Sequence, residues 1–301
     1  ATGTERFTIL QDGNVGIGNP DPDHKLQVDG TVSIRPNGSS NDQHYFTTSG
    51  ANNTQYIMYD SAGTAVNRFR TDNYSYINGG NVGIGSAIPS AKLDVAGDAC
   101  INSVRVGRGR CNVSNNTAVG TNALNYATGQ CNTAIGYQSA INTTGGCRNT
   151  AIGFNSLLAN SSGYVNTAVG AQSMICNTSG FANVALGYNS LRTSTTGSCN
   201  TALGYQTLYY NTTGCRNVAV GYNSLLGTTT GSFNAAVGEL SLSCNTTGQY
   251  NTGLGYRASR CNTTAQGNTA VGFQSLFYNT TGNYNAAVGM YALHKNTAAS
   301  N

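Results

Sequence analysis

The chain reads as an all-β protein, a β-solenoid of 17-residue coils preceded by two duplicated short β modules. Three observations lead there. An opening Asn recurs at 116, 132, 149, 166, 183, 200, 217, 234, 251, 268 and 285, with a first step of 16 residues and every later step of 17. Each copy carries Gly at its fifth position, as in Asn166-Thr167-Ala168-Val169-Gly170, and glycine there opposes helix. Seventeen residues are too few for a helical-hairpin repeat, so the period alone selects a solenoid.

Within one coil, Asn217–Gly221 has strand composition, Tyr222–Leu226 reads as a second short extended run, and Gly227–Gly231 is turn chemistry. Stacked strands lie about 4.8 Å apart, so eleven coils predict a column roughly 50 Å long. The third position is mostly Ala, the fourth always Val, Ile or Leu, the sixth often Tyr or Phe and the ninth mostly Leu. All four columns are candidate core rows, and the opening Asn is placed to form an amide ladder from coil to coil. This core is thin. Burying a Val or Leu gives roughly 1.5–3 kcal/mol, while ordering one backbone residue costs about 1–2 kcal/mol. Oligomerisation and cross-linking are the expected remedies. A homotrimer would bury either the aromatic sixth position or the Leu row between chains.

Four segments follow from the text of the chain. Residues 1–34 form a first β module and 79–101 its duplicate: Asp12-Gly13-Asn14-Val15-Gly16-Ile17-Gly18 is answered by Gly79-Gly80-Asn81-Val82-Gly83-Ile84-Gly85, and Pro22–Gly30 by Pro89–Gly97. Residues 35–78 are a polar, β-rich connection, and 102–301 are the solenoid of about twelve coils, beginning with a degenerate one. That first coil holds Arg105, Arg108 and Arg110, read as a solvated junction or an anion contact.

Composition excludes several classes. Only 9% of the 301 residues are charged and the net charge is +4. Within 112–301 the only acid is Glu239. A pair of catalytic carboxylates is therefore missing from the repeats. His24, His44 and His294 are isolated in the sequence, and no nucleophile or metal constellation is legible. No enzyme activity, cofactor or metal is expected. A basic stripe is absent, which excludes nucleic acid as a partner, and no apolar run is long enough for membrane insertion. Gly16-Ile17-Gly18 is followed by Pro20 and Pro22 rather than by a helix pattern, so it is not a phosphate loop. No cap follows Asn301, which creates the expectation of further sequence.

The cysteine spacings suggest rung-to-rung disulfides. Cys131–Cys147 and Cys199–Cys215 are 16 apart and Cys244–Cys261 is 17 apart, each about one coil, with Cys100–Cys111 a further pair and Cys176 left over. Disulfides would place the chain in an oxidising, extracellular setting. Asn-x-Ser/Thr occurs at Asn37, Asn52, Asn73, Asn112, Asn115, Asn142, Asn160, Asn177, Asn211, Asn245, Asn262 and Asn279. Two readings stand side by side: a stripe of N-glycans along one edge, or plain turn chemistry. Tyr137, Tyr188, Tyr205, Tyr222 and Tyr256 recur at one position, either as a sugar-stacking row or as packing between chains.

The pairing of GNVGIG…P…KL.V.G modules with NTAVGY.SL…NTTG repeats resembles the shaft sequences of bacteriophage and large-virus tail fibres. The NTAVG core is also similar to the repeats of trimeric autotransporter adhesin heads. The resemblance implies a homotrimeric β-roll on a virion or cell surface, a structural and non-catalytic fibre facing a receptor, with cell-surface carbohydrate as a partner. The alternatives are an extracellular glycoprotein fibril that polymerises end to end and, more remotely, a glycan-degrading tail-spike enzyme.

Overall fold

The protein is described here by a computed structural model, covering residues 7–29, 32–34, 44–49, 53–59, 65–70, 76–77, 82–84, 86 and 90–298. Among the described residues there is no helix. The chain divides into two units, 1–96 and 97–301.

In the first unit, β1 (Thr8–Ile9), β2 (Val15–Ile17) and β3 (Leu26–Val28) form one sheet. The strands β4 (Val32–Ile34), β5 (His44–Ser49), β6 (Asn53–Tyr59), β7 (Ala65–Arg70) and β8 (Tyr76–Ile77) form an antiparallel meander, and β9 (Val82–Ile84) pairs with β10 (Leu93–Val95). The sequence duplication is a structural one. Val15, Gly16 and Ile17 pair in parallel with Leu26, Gln27 and Val28, and Val82, Gly83 and Ile84 pair in the same way with Leu93, Asp94 and Val95. Parallel strands normally need a long crossover. Here strands of three residues let a short loop close each pair, so each module is a miniature coil. The loop folds so tightly over its strand that a Cβ on Gly16 would strike the Asn19 carbonyl, and one on Gly83 the Ser86 carbonyl.

The second unit starts with a hairpin, β11 (Ala99–Ile101) and β12 (Val104–Gly107), which replaces the degenerate coil expected at 102–110. The hairpin strand β12 lies antiparallel on β13 (Thr117–Val119). It thereby covers the edge of the first coil, a row of backbone groups that would otherwise be open to pairing. Asp98 secures the hairpin: its carboxylate takes the Arg105 guanidinium at 3.0 Å and the Arg108 backbone N–H at 2.6 Å. Arg105 therefore belongs to the cap rather than to an anion site.

From β13 to β23 (Ala286–Val288) eleven strands, one per coil, pair in parallel and in strict register, Ala on Ala in nearly every rung. Each strand comprises positions 2 to 4 of its coil. Alternation along a strand sends position 3 inward and positions 2 and 4 outward. The Ala column is accordingly fully buried from Ala118 onwards, while Ile135, Leu186, Leu254 and Val288 at position 4 are exposed. Position 6 is exposed as well, at Tyr137, Phe154, Tyr188, Tyr205 and Tyr222. Of the four candidate core rows, only the third and ninth positions are core. Leu157, Leu191, Leu208, Leu225, Leu242 and Leu276 are fully buried within the chain, so the Leu row cannot lie between chains.

The second extended run expected at positions 6–10 is a turn. Positions 7, 9 and 17 take positive φ without glycine, as at Asn189 (57°), Leu191 (48°) and Cys199 (60°), a conformation costing about 1–2 kcal/mol each. The alternation of hand turns successive backbone groups up and down the column. Gln206 N–H donates back to Tyr188 O at 3.0 Å, while Leu208 N–H donates forward to Ser224 O at 3.1 Å. The inter-coil ladder thus continues through the turns, which leaves few buried backbone groups unpaired. Gly at position 5 is demanded by close approach: at Gly204, φ is 137° and a Cβ would sit 2.6 Å from the Gly221 carbonyl oxygen.

Candidate interaction surface

Two internal columns of asparagine hold the coils level. At position 1, the Asn200 carbonyl Oδ1 accepts the Asn217 backbone N–H at 3.0 Å and its Nδ2 at 3.2 Å, and Asn217 Nδ2 also donates to Gly231 O at 2.8 Å. Side-chain acceptance of the next coil's N–H runs unbroken from Asn116 to Asn285, as the repeat predicts. The second column, at position 12, was not foreseen. Asn177 Nδ2 donates to Asn160 Oδ1 at 2.8 Å and to its own coil's Gly180 O at 3.1 Å, and Asn262 Nδ2 repeats the link to Asn245 Oδ1 at 2.8 Å.

This second column corrects the glycan stripe. Asn160, Asn177, Asn211, Asn245, Asn262 and Asn279 are 0% exposed, and their Nδ2 atoms already donate within the core. A sugar on Nδ2 would have nowhere to go in the folded coil. Asn142 sits one position earlier, at 11, and is exposed, as are Asn112 and Asn115. Asn37, Asn52 and Asn73 lie outside the described residues.

The expected disulfides are also corrected. All nine cysteines, Cys100, Cys111, Cys131, Cys147, Cys176, Cys199, Cys215, Cys244 and Cys261, are free thiols. Backbone register explains two of the pairs. Arg148 N–H donates to Gln130 O and Val165 N–H to Cys147 O, so Cys147 is level with Gln130 and Tyr164, not with Cys131. The same one-residue offset separates Cys199 from Cys215, whose sulfur accepts the Ser198 N–H at 3.3 Å. Cys244 and Cys261 do share column 11. Burial raises the Cys261 thiol pKa most, Cys244 raises it further, and Arg260 opposes them. In the cap hairpin Cys100 pairs across from Arg105, while the Cys111 thiol points to the Asn125 carbonyl at 3.8 Å.

What remains outward is one broad face. Positions 2, 4 and 6 of all eleven coils carry a single charge, Glu239, and otherwise Thr, Ala, aliphatic and aromatic residues. The aromatic residues stack along the column. Ring centroids are 5.6 Å apart for Tyr137–Phe154, 5.5 Å for Tyr188–Tyr205, 5.3 Å for Tyr205–Tyr222 and 5.2 Å for Tyr256–Phe273. Arg257 lies over Tyr256 at 4.8 Å. Each of the five tyrosines thus spends at least one ring face on a neighbour, and Tyr205 spends both. A sugar stacks on a ring face, whereas this row offers mainly edges and hydroxyls. Two further pairs, Tyr164–Phe181 and Phe233–Tyr250, stack at 5.0 Å on the other flank of the strands.

Among the described residues no group of three or more His, Cys, Asp or Glu could hold a metal ion, and no helix is long and apolar enough to cross a membrane. Asp98, Ala99, Cys100, Ser103, Arg105, Thr121 and Asn122 line a shallow hollow beside the cap, and Phe181, Ser198, Cys199, Cys215 and Arg216 line another. In the first the charged groups Asp98 and Arg105 are already paired with each other at 3.0 Å, and in the second Arg216 is the one charged residue. Comparison with family models, with curated proteins and with solved structures returns no match.

Proposed function

We propose that the chain is a structural, non-catalytic fibre protein, the shaft of an extracellular viral tail fibre or surface appendage, working as a homotrimer. The observation that carries this reading is the outward face of positions 2, 4 and 6 with its one charge over eleven coils. Its length is about 50 Å and its width about 13 Å, from the strand spacing and the rise per residue. That is roughly 650 Å² on each copy, above the largest apolar patch of a typical monomer and close to one side of a standard interface. The mechanism is mechanical. Backbone ladders and two amide columns resist bending and proteolysis, and the receptor-facing chemistry resides in exposed Thr, Ser, Asn and Tyr groups.

Two observations weigh against an end-to-end glycoprotein fibril: the hairpin seals the edge of the first coil, and six of the sequons are closed. Sedimentation of the full chain tests the reading. The expected result is a trimer that the double variant Leu203→Lys, Tyr205→Lys reduces to a folded monomer. A native chain that sediments as a monomer would overturn it.

A further inference from the structure

Cys244 and Cys261 stand at position 11 of two successive coils, and no other two cysteines of the chain are 17 residues apart. Their backbones play the same part in the ladder. Cys244 N–H donates to Arg260 O at 3.1 Å and Cys261 N–H to Phe277 O at 3.0 Å, each reaching forward to position 10 of the following coil. Both thiols are free, Cys244 exposed and Cys261 half-buried. Cys261 lies within electrostatic reach of Cys244 and of Arg260, so the two thiols and the guanidinium share one neighbourhood. Gly227 precedes them in the column. A Cβ there would stand 3.6 Å from the Cys244 Cα, so its absence leaves that side of Cys244 open.

We propose that Cys244 and Cys261 form a two-coordinate site for a soft monovalent cation of the copper(I) class, bridging two rungs of the solenoid. Spacing carries the argument. Side chains at one position of parallel rungs repeat at about 4.8 Å, and two sulfur atoms in the same rotamer repeat with them. A thiolate–metal–thiolate bridge spans two bonds of about 2.3 Å, or about 4.6 Å in all, so the cation fits between the rungs without moving either. A disulfide would pinch them instead, because it needs sulfurs about 2.0 Å apart and Cβ atoms about 3.8 Å apart. Ligand number selects the ion. Among the described residues no third His, Cys, Asp or Glu joins the pair, whereas structural zinc takes four ligands. Soft thiolates favour copper(I), and closed-shell monovalent ions accept two sulfurs in line. On binding, two S–H protons pass to solvent as two metal–sulfur bonds form, and no electron moves. Two thiolates and one monovalent cation leave one negative charge, which the neighbouring Arg260 guanidinium offsets. Cys176 holds the same position in a coil with no cysteine on either adjacent rung, and is the internal comparison.

Silver(I), which prefers the same in-line coordination and stays monovalent, is the probe. The full chain is reduced, freed of reductant, given one equivalent of silver(I) and alkylated, with each cysteine followed by mass against the silver-free chain. Two sulfurs fixed on one column should bind roughly a hundredfold more tightly than one. Cys244 and Cys261 should therefore lose most of their reactivity together, while Cys176 and the other thiols keep theirs. Cys244→Ser should abolish the protection of Cys261. The proposal is overturned if silver spreads over the nine thiols, if it settles on another pair, or if Cys261 stays protected in Cys244→Ser. Cys244 is exposed, so serine there leaves the core intact. Should the variant still fail to fold, the protection pattern of the native chain decides alone.

Discussion

The two asparagine columns use the same residue at the same 17-residue spacing, yet one is unbroken and the other is not. Position 1 is Asn in all eleven coils, whereas position 12 admits Ala127, Thr143, Ser194 and Thr228. The difference lies in what each side chain accepts. Asn200 Oδ1 takes a backbone N–H of the next coil, a donor that is fixed in place and has no other partner. Asn245 Oδ1 takes only the side-chain amide of Asn262. When a position-12 amide is lost, only the previous side-chain Oδ1 is orphaned, as at Asn177 and Asn211, whereas loss of a position-1 asparagine orphans a backbone N–H of the next coil.

The comparison makes ordered predictions. Asn200→Ala should be the most damaging, because it strands the Asn217 backbone N–H and also removes the Asn200 amide from Asn183 Oδ1 and from the Gly214 carbonyl, which keeps Asn211 Nδ2. At about 1–3 kcal/mol for the buried orphan and about 1 kcal/mol for the other bonds lost, the loss is roughly 2–4 kcal/mol, read from the urea midpoint. Asn262→Ala should cost less, about 1–3 kcal/mol, since it strands the Asn245 side-chain Oδ1 while the Ala265 carbonyl keeps the Asn251 amide. Asn211→Ala should cost least, about 1 kcal/mol, because its Oδ1 is already unpartnered. Equal losses at Asn200 and Asn211 would abolish the distinction.

The period made the solenoid, its coil boundaries, the first amide column and the duplicated modules legible before any coordinates. Other features were hidden for definite reasons. An invariant aliphatic at position 4, such as Ile135 or Leu186, looks like core. Yet the small Ala at position 3 is the residue that fits between sheet and turn, and alternation then forces its neighbour outward. The turn at Tyr222–Leu226 reads as extended because left-handed conformations at Asn223 and Leu225 have no compositional mark when glycine is absent. The second amide column was present in the text as Asn160, Asn177, Asn211, Asn245, Asn262 and Asn279. Its membership of the Asn-x-Ser/Thr pattern masks the spacing it shares with position 1. A one-coil cysteine spacing suggests a shared column, but 16 residues instead of 17 shifts Cys147 sideways from Cys131.

Glycan mapping extends the comparison to chemistry. Expressed through a eukaryotic secretory route, the folded chain should carry sugar at no position-12 asparagine, because each Nδ2 is sealed in the column. Among the described sequons only Asn112, Asn115 and Asn142 are open. Peptide mapping after enzymatic deglycosylation checks this by the Asn-to-Asp mass shift. A shift at Asn211 or Asn262 in natively folded material would mean that the second column opens far more readily than its hydrogen bonds imply.

The finest test is kinetic and uses a thiol beside that column. Cys261 precedes Asn262, and burial, reinforced by Cys244, pushes its pKa above the usual thiol value. Thiolate is the reactive form, so Cys261 should alkylate several-fold more slowly than the exposed Cys131 near neutral pH. The sign of the pH effect follows from the raised pKa. The Cys261 rate keeps rising with pH beyond the usual thiol range, while the folded state loses stability there because the unfolded chain sheds its proton first. If position 12 is the weaker seam, Asn262→Ala should speed Cys261 alkylation and leave Cys131 unchanged. Asn268→Ala, a break in the stronger column one coil on, should speed both by opening the solenoid as a whole. Mass-resolved alkylation of the two thiols in both variants distinguishes a local seam from a cooperative rod.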